Sequence, residues 1–150
     1  MTIEQLLKTE GKYVGPVKGT SMLPMLVAER DSIVVYARKG PYKPLDVVLY
    51  KRGEEYILHR VIKAKGDKYI IRGDNCYFDE LVGEGQILGV LREYFSGEKL
   101  ISCEDKKYLR YAKRRVRYYF ARNITRKTRA FAKRILRIPY RIFLKLKGKK

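Results

Sequence analysis

A serine and a histidine are the residues of this 150-residue chain whose types and spacing could do chemistry together. Ser21 lies in a Gly-x-Ser-Met-x-Pro sequence over 19–24, and His59, the only histidine, lies in an apolar segment typical of a strand. A serine hydroxyl is a weak nucleophile until a neighbouring base takes its proton, and a neutral imidazole suits that role near neutral pH. Either residue alone is more often structural. Together they predict a Ser–His pair for acyl transfer.

Further segments follow the serine in an ordered series. Asp-Ser-Ile-Val-Val-Tyr occupies 31–36, Leu-Asp-Val-Val-Leu-Tyr occupies 45–50, and Arg-Gly-Asp-Asn occupies 72–75. Taken with the serine turn and with His-Arg-Val-Ile at 59–62, this order resembles the signal-peptidase and LexA-type serine peptidases. The resemblance covers residues 15–92.

The resemblance implies a role for each matching residue. Ser21 would be the nucleophile, and His59 stands where the bacterial signal peptidases and LexA-type proteins have a lysine base. The endoplasmic-reticulum, archaeal and sporulation-type signal peptidases have histidine there, so the chain is most similar to that branch. In that branch an aspartate supports the histidine, which implies Asp74, with Asp79 as the second candidate. A carboxylate on one ring nitrogen would fix the tautomer and stabilise the imidazolium.

The residues around Ser21 are expected to bind the substrate and its oxyanion. Many signal peptidases have a second serine two positions before the nucleophile, but this chain has Gly19, as in LexA-type proteins. The oxyanion hole is therefore expected to use the backbone N–H of Ser21, helped by Thr20. Met22 and Pro24 are the expected substrate contacts.

The sequence predicts a mainly β protein. Short β-branched or aromatic segments are separated by Gly, Pro, Asp and Lys clusters, a pattern typical of a coiled antiparallel β domain. A short helix is expected at 2–7, with Thr2 as its cap. The predicted strand segments are 33–36, 47–50, 56–58, 69–71 and 87–91.

The charges divide the chain into parts. The net charge of +19 lies entirely in residues 106–150, which contain 19 Lys and Arg and no acid. We therefore predict a helical segment at 1–14, a peptidase-like β domain at 15–105 and a basic tail at 106–150.

Apolar residues recur in the tail at steps of three and four, so an amphipathic helix is expected over 106–138. Basic and aromatic residues together favour binding to an anionic membrane surface. There are two alternatives. The tail binds nucleic acid, or its helix packs on the β domain with the basic face in solvent. The expected anion contacts are Arg114, Arg115, Arg117, Lys133 and Arg134.

No apolar segment approaches the length needed to span a bilayer, and the N-terminus does not have the pattern of a signal sequence. The expected location is therefore cytoplasmic and peripheral at the inner membrane face. Cys76 and Cys103 show no metal-binding spacing and are expected to be reduced thiols. No metal and no cofactor are predicted.

Three functions are consistent with the sequence. The first is a serine endopeptidase that cleaves a peptide or a membrane-associated protein. The second is a LexA-type protein that cleaves itself. Since 14 residues precede Gly15, a separate DNA-binding domain is not expected there, unless the basic tail takes its place. The third is a module without catalytic activity whose tail binds membrane or nucleic acid.

Overall fold

The computed structural model describes residues 2–121, and the chain divides into two compact units, Met1–Arg115 and Val116–Lys150. The first unit is an antiparallel β structure that begins with helix α1. A second helix, α2, begins at 106, and residues up to 121 are described as helical. The other elements are α1 (Ile3–Glu10), β1 (Lys12–Pro16), β2 (Asp31–Ala37), β3 (Val47–Arg52), β4 (Glu55–Lys65), β5 (Lys68–Arg72), β6 (Glu80–Gly83), β7 (Ile87–Ser96) and β8 (Lys99–Ser102).

Helix α1 begins and ends with the signals that its sequence contains. The Thr2 hydroxyl accepts a hydrogen bond from the Gln5 N–H, and the Gln5 side chain accepts one from the Thr2 N–H. This capping box satisfies two N–H groups that a helix start leaves unpaired. Gly11 ends the helix with φ 69°, a left-handed conformation that glycine adopts without steric cost.

The strands form one antiparallel sheet. Within residues 2–121 the order is β1-β2-β7-β3-β4-β5-β6, and β8 pairs with β7. All five strand segments expected from the sequence lie in strands, so the mainly β fold with a helical extension is confirmed. The sequence did not indicate β1, β6 and β8, because these are short and contain lysine, glycine or proline, which are uncommon inside strands.

Two apolar cores lie on opposite faces of β3. Successive side chains of a strand point to opposite faces, and β3 is buried on both. Val47 and Leu49 belong to one core, while Val48 and Tyr50 belong to the other. The register pairs Val48 with His59 and Val47 with Arg60. This register places the adjacent residues His59 and Arg60 on opposite faces of the sheet.

The start of α2 belongs to the β unit. Tyr108 and Ala112 are buried in the same core as Val47 and Leu49. The expected division at residue 105 therefore falls too early, since the charge pattern changes there but the apolar contacts with the sheet continue along the helix. In the part of the chain that the structure describes, no helix is both long enough and apolar enough to cross a membrane.

Candidate active site

Ser21 lies on a turn that is fixed from beneath by apolar side chains. Gly19, at φ 75°, begins the turn in a conformation that favours glycine. Met22, Met25 and Leu26 are all buried, so the turn packs its underside into the core and leaves Ser21 half-buried at its edge. Because the turn is fixed by core packing, its serine has a defined position.

His59 and the Ser21 turn meet at Gly73, directly after β5. A Cβ atom placed on Gly73 would lie 2.7 Å from the Ser21 carbonyl oxygen and 2.8 Å from His59 Nε2. The absence of a side chain at residue 73 therefore allows the imidazole and the serine turn to become neighbours. No hydrogen bond joins Ser21 Oγ to His59 within residues 2–121, and such bonds often tighten only when substrate is present.

The other ring nitrogen of His59 faces a tyrosine and a glutamate. The Tyr50 hydroxyl lies 3.2 Å from His59 Nδ1 and donates to Glu80 Oε2 at 3.0 Å. A hydroxyl has a single proton, so Tyr50 accepts from Nδ1–H while it donates to Glu80. Glu80 Oε1 lies 3.5 Å from Nδ1 as well, and Arg52 donates to Oε2 of the same glutamate at 3.1 Å. This arrangement places the imidazole proton on Nδ1 and leaves the Nε2 lone pair facing Gly73.

The surroundings of His59 favour its neutral form. His59 is only 5% exposed, and this burial lowers the pKa of its side chain below the ordinary value. The charges of Glu80 and Asp74 act in the opposite direction, while the positive charge of Arg52 adds to the lowering. A neutral imidazole at neutral pH is the form that can accept a serine proton.

Asp74, expected to support His59, is bound to Arg60 instead. Arg60 Nε donates to Oδ1 and Arg60 Nη2 to Oδ2, both at 2.8 Å, and both side chains are fully buried. Tyr111 also donates to Oδ2. The expectation that Asp74 hydrogen-bonds the imidazole is therefore wrong. The physical reason is the strand alternation, which points Arg60 and its partner away from the face that holds His59.

Asp79, the second expected support, is also paired with an arginine. Its Oδ1 accepts a hydrogen bond of 2.6 Å from Arg72 Nε. Among the described residues, the only carboxylate within 4 Å of an imidazole nitrogen is that of Glu80. Glu80 begins the short strand β6, whose pairing with β5 brings it to the site.

The two expected substrate contacts differ in exposure. Met22 is 3% exposed, and its sulfur accepts from the Asp74 N–H at 3.5 Å, so its side chain is part of the core and is not a surface for substrate. The pattern of the turn could not show this, because it does not say which side faces inward. Pro24 is exposed and stays a predicted contact.

The predicted oxyanion donors remain available. Within residues 2–121, neither the N–H of Ser21 nor that of Thr20 donates an internal hydrogen bond. The Thr20 carbonyl accepts from the Leu23 N–H and from the Asn75 side chain, which holds the peptide groups of the turn in place.

The expected anion contacts on α2 also differ from one another. Arg114 and Arg117 are exposed, but Arg115 is half-buried and donates to the Asp74 carbonyl oxygen at 2.9 Å. An arginine engaged in this way serves the fold, so Arg115 is removed from the expected surface contacts. Lys133 and Arg134 lie outside the described residues.

Cys76 is a site neighbour for which the sequence suggested no role. Its Sγ lies 3.9 Å from His59 Nε2 and would lie 2.7 Å from a Cβ at Gly73. Cys76 and Cys103 are both in the thiol form. Among the described residues, no group of three or more His, Cys, Asp or Glu side chains is arranged to hold a metal ion.

These observations define a class of site: a neutral, buried imidazole whose unprotonated Nε2 lies beside Gly73 and the thiol of Cys76, next to a serine turn, on an antiparallel β domain. The chain matches no protein-family model and no curated protein sequence.

The sequence analysis did not identify Tyr50, Glu80 and Arg52 as neighbours of His59. One signal was available for Tyr50: the alternation along β3 places it on the same face as Val48, the residue that pairs with His59.

Proposed function

We propose that this protein is a serine endopeptidase of the signal-peptidase-like type, with Ser21 as nucleophile and His59 as base. The observation that carries the proposal is the meeting of His59 Nε2 and the Ser21 turn across Gly73. A base must reach the proton it removes, and the shared approach of His59 Nε2 and the Ser21 carbonyl oxygen to Gly73 supports this pairing.

The reaction follows from these positions. Ser21 Oγ attacks the substrate carbonyl carbon while its proton passes to His59 Nε2, and the oxyanion is held by the backbone N–H groups of Ser21 and Thr20. The imidazolium then gives its proton to the departing amine as the C–N bond breaks. Water, deprotonated by Nε2, hydrolyses the resulting ester on Ser21 and restores the enzyme.

Tyr50 and Glu80 orient the base in this mechanism. Nδ1–H donates to the Tyr50 oxygen, so the tautomer with Nε2 unprotonated is favoured before attack. When Nε2 gains a proton, the Glu80 carboxylate at 3.5 Å stabilises the positive ring. Glu80 thereby takes the role that the resemblance assigned to an aspartate.

The proposal is tested with a serine-reactive fluorophosphonate and intact mass measurement. Wild type should take one adduct, and Ser21→Ala and His59→Ala should take none while keeping the circular dichroism of wild type. Cys76→Ala is the matched control, because its thiol is the other nucleophile near His59 Nε2; it should still be labelled. An adduct that persists on Ser21→Ala would overturn the proposal.

The alternative functions give different results in related measurements. Self-processing of the LexA type would shorten the chain on long incubation, which intact mass would show, and Ser21→Ala would prevent it. A module without catalytic activity would take no adduct in any variant. Substrate cleavage in trans without loss of intact chain supports the endopeptidase.

We further propose that α2 binds an anionic membrane surface, which would place the protein at the inner membrane face. The exposed residues of α2 within the first unit include several cations, and residues 106–121 contain no acid. Each cation near such a surface adds about 1 kcal/mol. These exposed cations are Lys106, Lys107, Arg110, Lys113 and Arg114.

Vesicle sedimentation tests this surface. Wild type should sediment with vesicles containing anionic phospholipid and not with zwitterionic ones, and added salt should release it. Arg110→Glu with Arg114→Glu should weaken binding, while a charge change on the β unit, Lys63→Glu, should not. Binding to duplex DNA at the same salt, without binding to vesicles, would favour the nucleic-acid alternative.

A further inference from the structure

One peptide group joins helix α2 to the serine turn. The carbonyl oxygen of Asp74 accepts a hydrogen bond from Arg115 Nε at 2.9 Å. The N–H of the same peptide group, that of Asn75, donates to the Ser21 carbonyl oxygen at 2.7 Å. The guanidinium and the nucleophile residue are therefore bound to opposite ends of a single amide.

An amide bound at both ends transmits polarisation. A positive guanidinium on the carbonyl oxygen withdraws electron density from the peptide and makes its N–H a stronger donor, so the two bonds reinforce one another. Hydrogen bonds that involve a charged group are also stronger than neutral ones. The bond from Asn75 to Ser21 therefore depends on the arginine at its far end.

The rest of Asp74 is held as firmly as its carbonyl. Arg60 and Tyr111 occupy its carboxylate, and all three groups are buried or half-buried. The Asn75 side chain donates to the Thr20 carbonyl at 3.2 Å, next to the bond that its N–H makes to Ser21. Asp74 and Asn75 thus form a hydrogen-bonded connection from α2 to both residues of the expected oxyanion hole.

We propose that Arg115 is a positioning residue for Ser21, acting through the Asp74–Asn75 peptide group. The proposal rests on the proposed function of Ser21 and gives α2 a part in the active site. Arg115, on the side of α2 that faces the β unit, holds the serine turn. This role does not depend on any partner that the exposed cations of α2 bind.

The experiment compares Arg115→Ala and Arg115→Lys with Lys63→Ala, which removes the same charge from an exposed position on β4. The first readout is amide hydrogen exchange at Asn75, which needs no catalytic activity. Arg115→Ala should speed exchange at Asn75 by about tenfold or more, because it removes a charged hydrogen bond from the same amide. The amide of Leu49 in the core of β3 should be unaffected, and Lys63→Ala should leave exchange at both Asn75 and Leu49 unchanged.

The second readout is fluorophosphonate labelling. Arg115→Ala should lower the maximal rate of labelling and leave the probe concentration at half-maximal rate unchanged, with partial recovery in Arg115→Lys. Unchanged exchange at Asn75, or exchange that rises equally at Leu49, would overturn the inference. If Arg115→Ala does not fold, amide hydrogen exchange at Asn75 in Arg115→Lys decides the question. A wild type that takes no adduct overturns the peptidase proposal instead, and the exchange result is unaffected by that failure.

Discussion

Arg60 and Asp74 form a fully buried ion pair with two parallel hydrogen bonds, both of 2.8 Å. Arg60 also donates to the Leu45 carbonyl and to the Tyr108 hydroxyl, so β4, the loop after β5 and α2 meet at this guanidinium. Although burial disfavours the charge, the hydrogen bonds and the charge of Asp74 raise the pKa of Arg60 above its ordinary value. The pair organises the core beneath the site without touching the imidazole.

Removal of one partner of this pair should be strongly destabilising. Asp74→Ala leaves a buried guanidinium without its counter-charge, and we expect a loss of about 3–5 kcal/mol in the free energy of unfolding. Urea denaturation followed by circular dichroism measures it. Glu104→Ala is the control, since it breaks the exposed pair with Arg92 and should change stability little. Equal effects of the two substitutions would contradict the buried role of Asp74.

The pH dependence of labelling should reflect the pKa of His59, on which the charges of Arg52 and Glu80 have opposite effects. Labelling should rise as the imidazole loses its proton, with the midpoint of the rise below pH ~6.5, the ordinary imidazole value. Arg52 lowers the pKa of His59 and Glu80 raises it, so Arg52→Gln should move this rise to higher pH and Glu80→Gln to lower pH. Shifts in the same direction for both variants would contradict the assignment.

The same lowered pKa affects stability. Below the ordinary imidazole value the unfolded chain binds a proton that the folded chain does not, so the folded state loses stability as pH falls toward the folded pKa. Above the ordinary value the contribution of His59 is fully present. His59→Gln should therefore flatten the dependence of the unfolding midpoint on pH below about 6.5, the ordinary imidazole value. A midpoint that varies with pH as in wild type would show that His59 is not its source.

A methyl group at residue 73 should close the site. A Cβ at Gly73 would lie within 2.8 Å of His59 Nε2, the Ser21 carbonyl oxygen and Cys76 Sγ, closer than packed atoms approach. Gly73→Ala should abolish labelling and lower stability by about 1–3 kcal/mol. Gly85→Ala is the matched control, because nothing lies within 4 Å of its Cβ position. Normal labelling of Gly73→Ala would show that this contact is not needed.

Removal of the Tyr50 hydroxyl should slow acylation without unfolding the protein. Tyr50→Phe deprives Nδ1–H of its acceptor, so the tautomer with Nε2 unprotonated is no longer favoured, and the maximal labelling rate should fall about tenfold. Tyr69→Phe removes another hydroxyl from the same apolar core and should label at the wild-type rate. If both variants label equally well, Tyr50 does not orient the base.

The sequence determined the two helices, five of the strands and the two reacting residues that we propose. Local patterns sufficed for this: β-branched segments predicted the main strands, Thr2 predicted the cap of α1, and the periodicity after residue 105 predicted α2. Ser21 and His59 could be paired from the sequence because the chain has a single histidine.

Only the tertiary structure decided which side chains surround that histidine. Asp74 follows β5 in a motif that suggests support of His59, yet the register of β3 with β4 sends Arg60 and Asp74 to the opposite face. Glu80 reaches the imidazole because β6 pairs with β5, and Arg115 reaches the serine turn because Tyr108 and Ala112 pack in the core. These contacts join residues far apart in the chain, and a one-residue change of strand register would alter all of them.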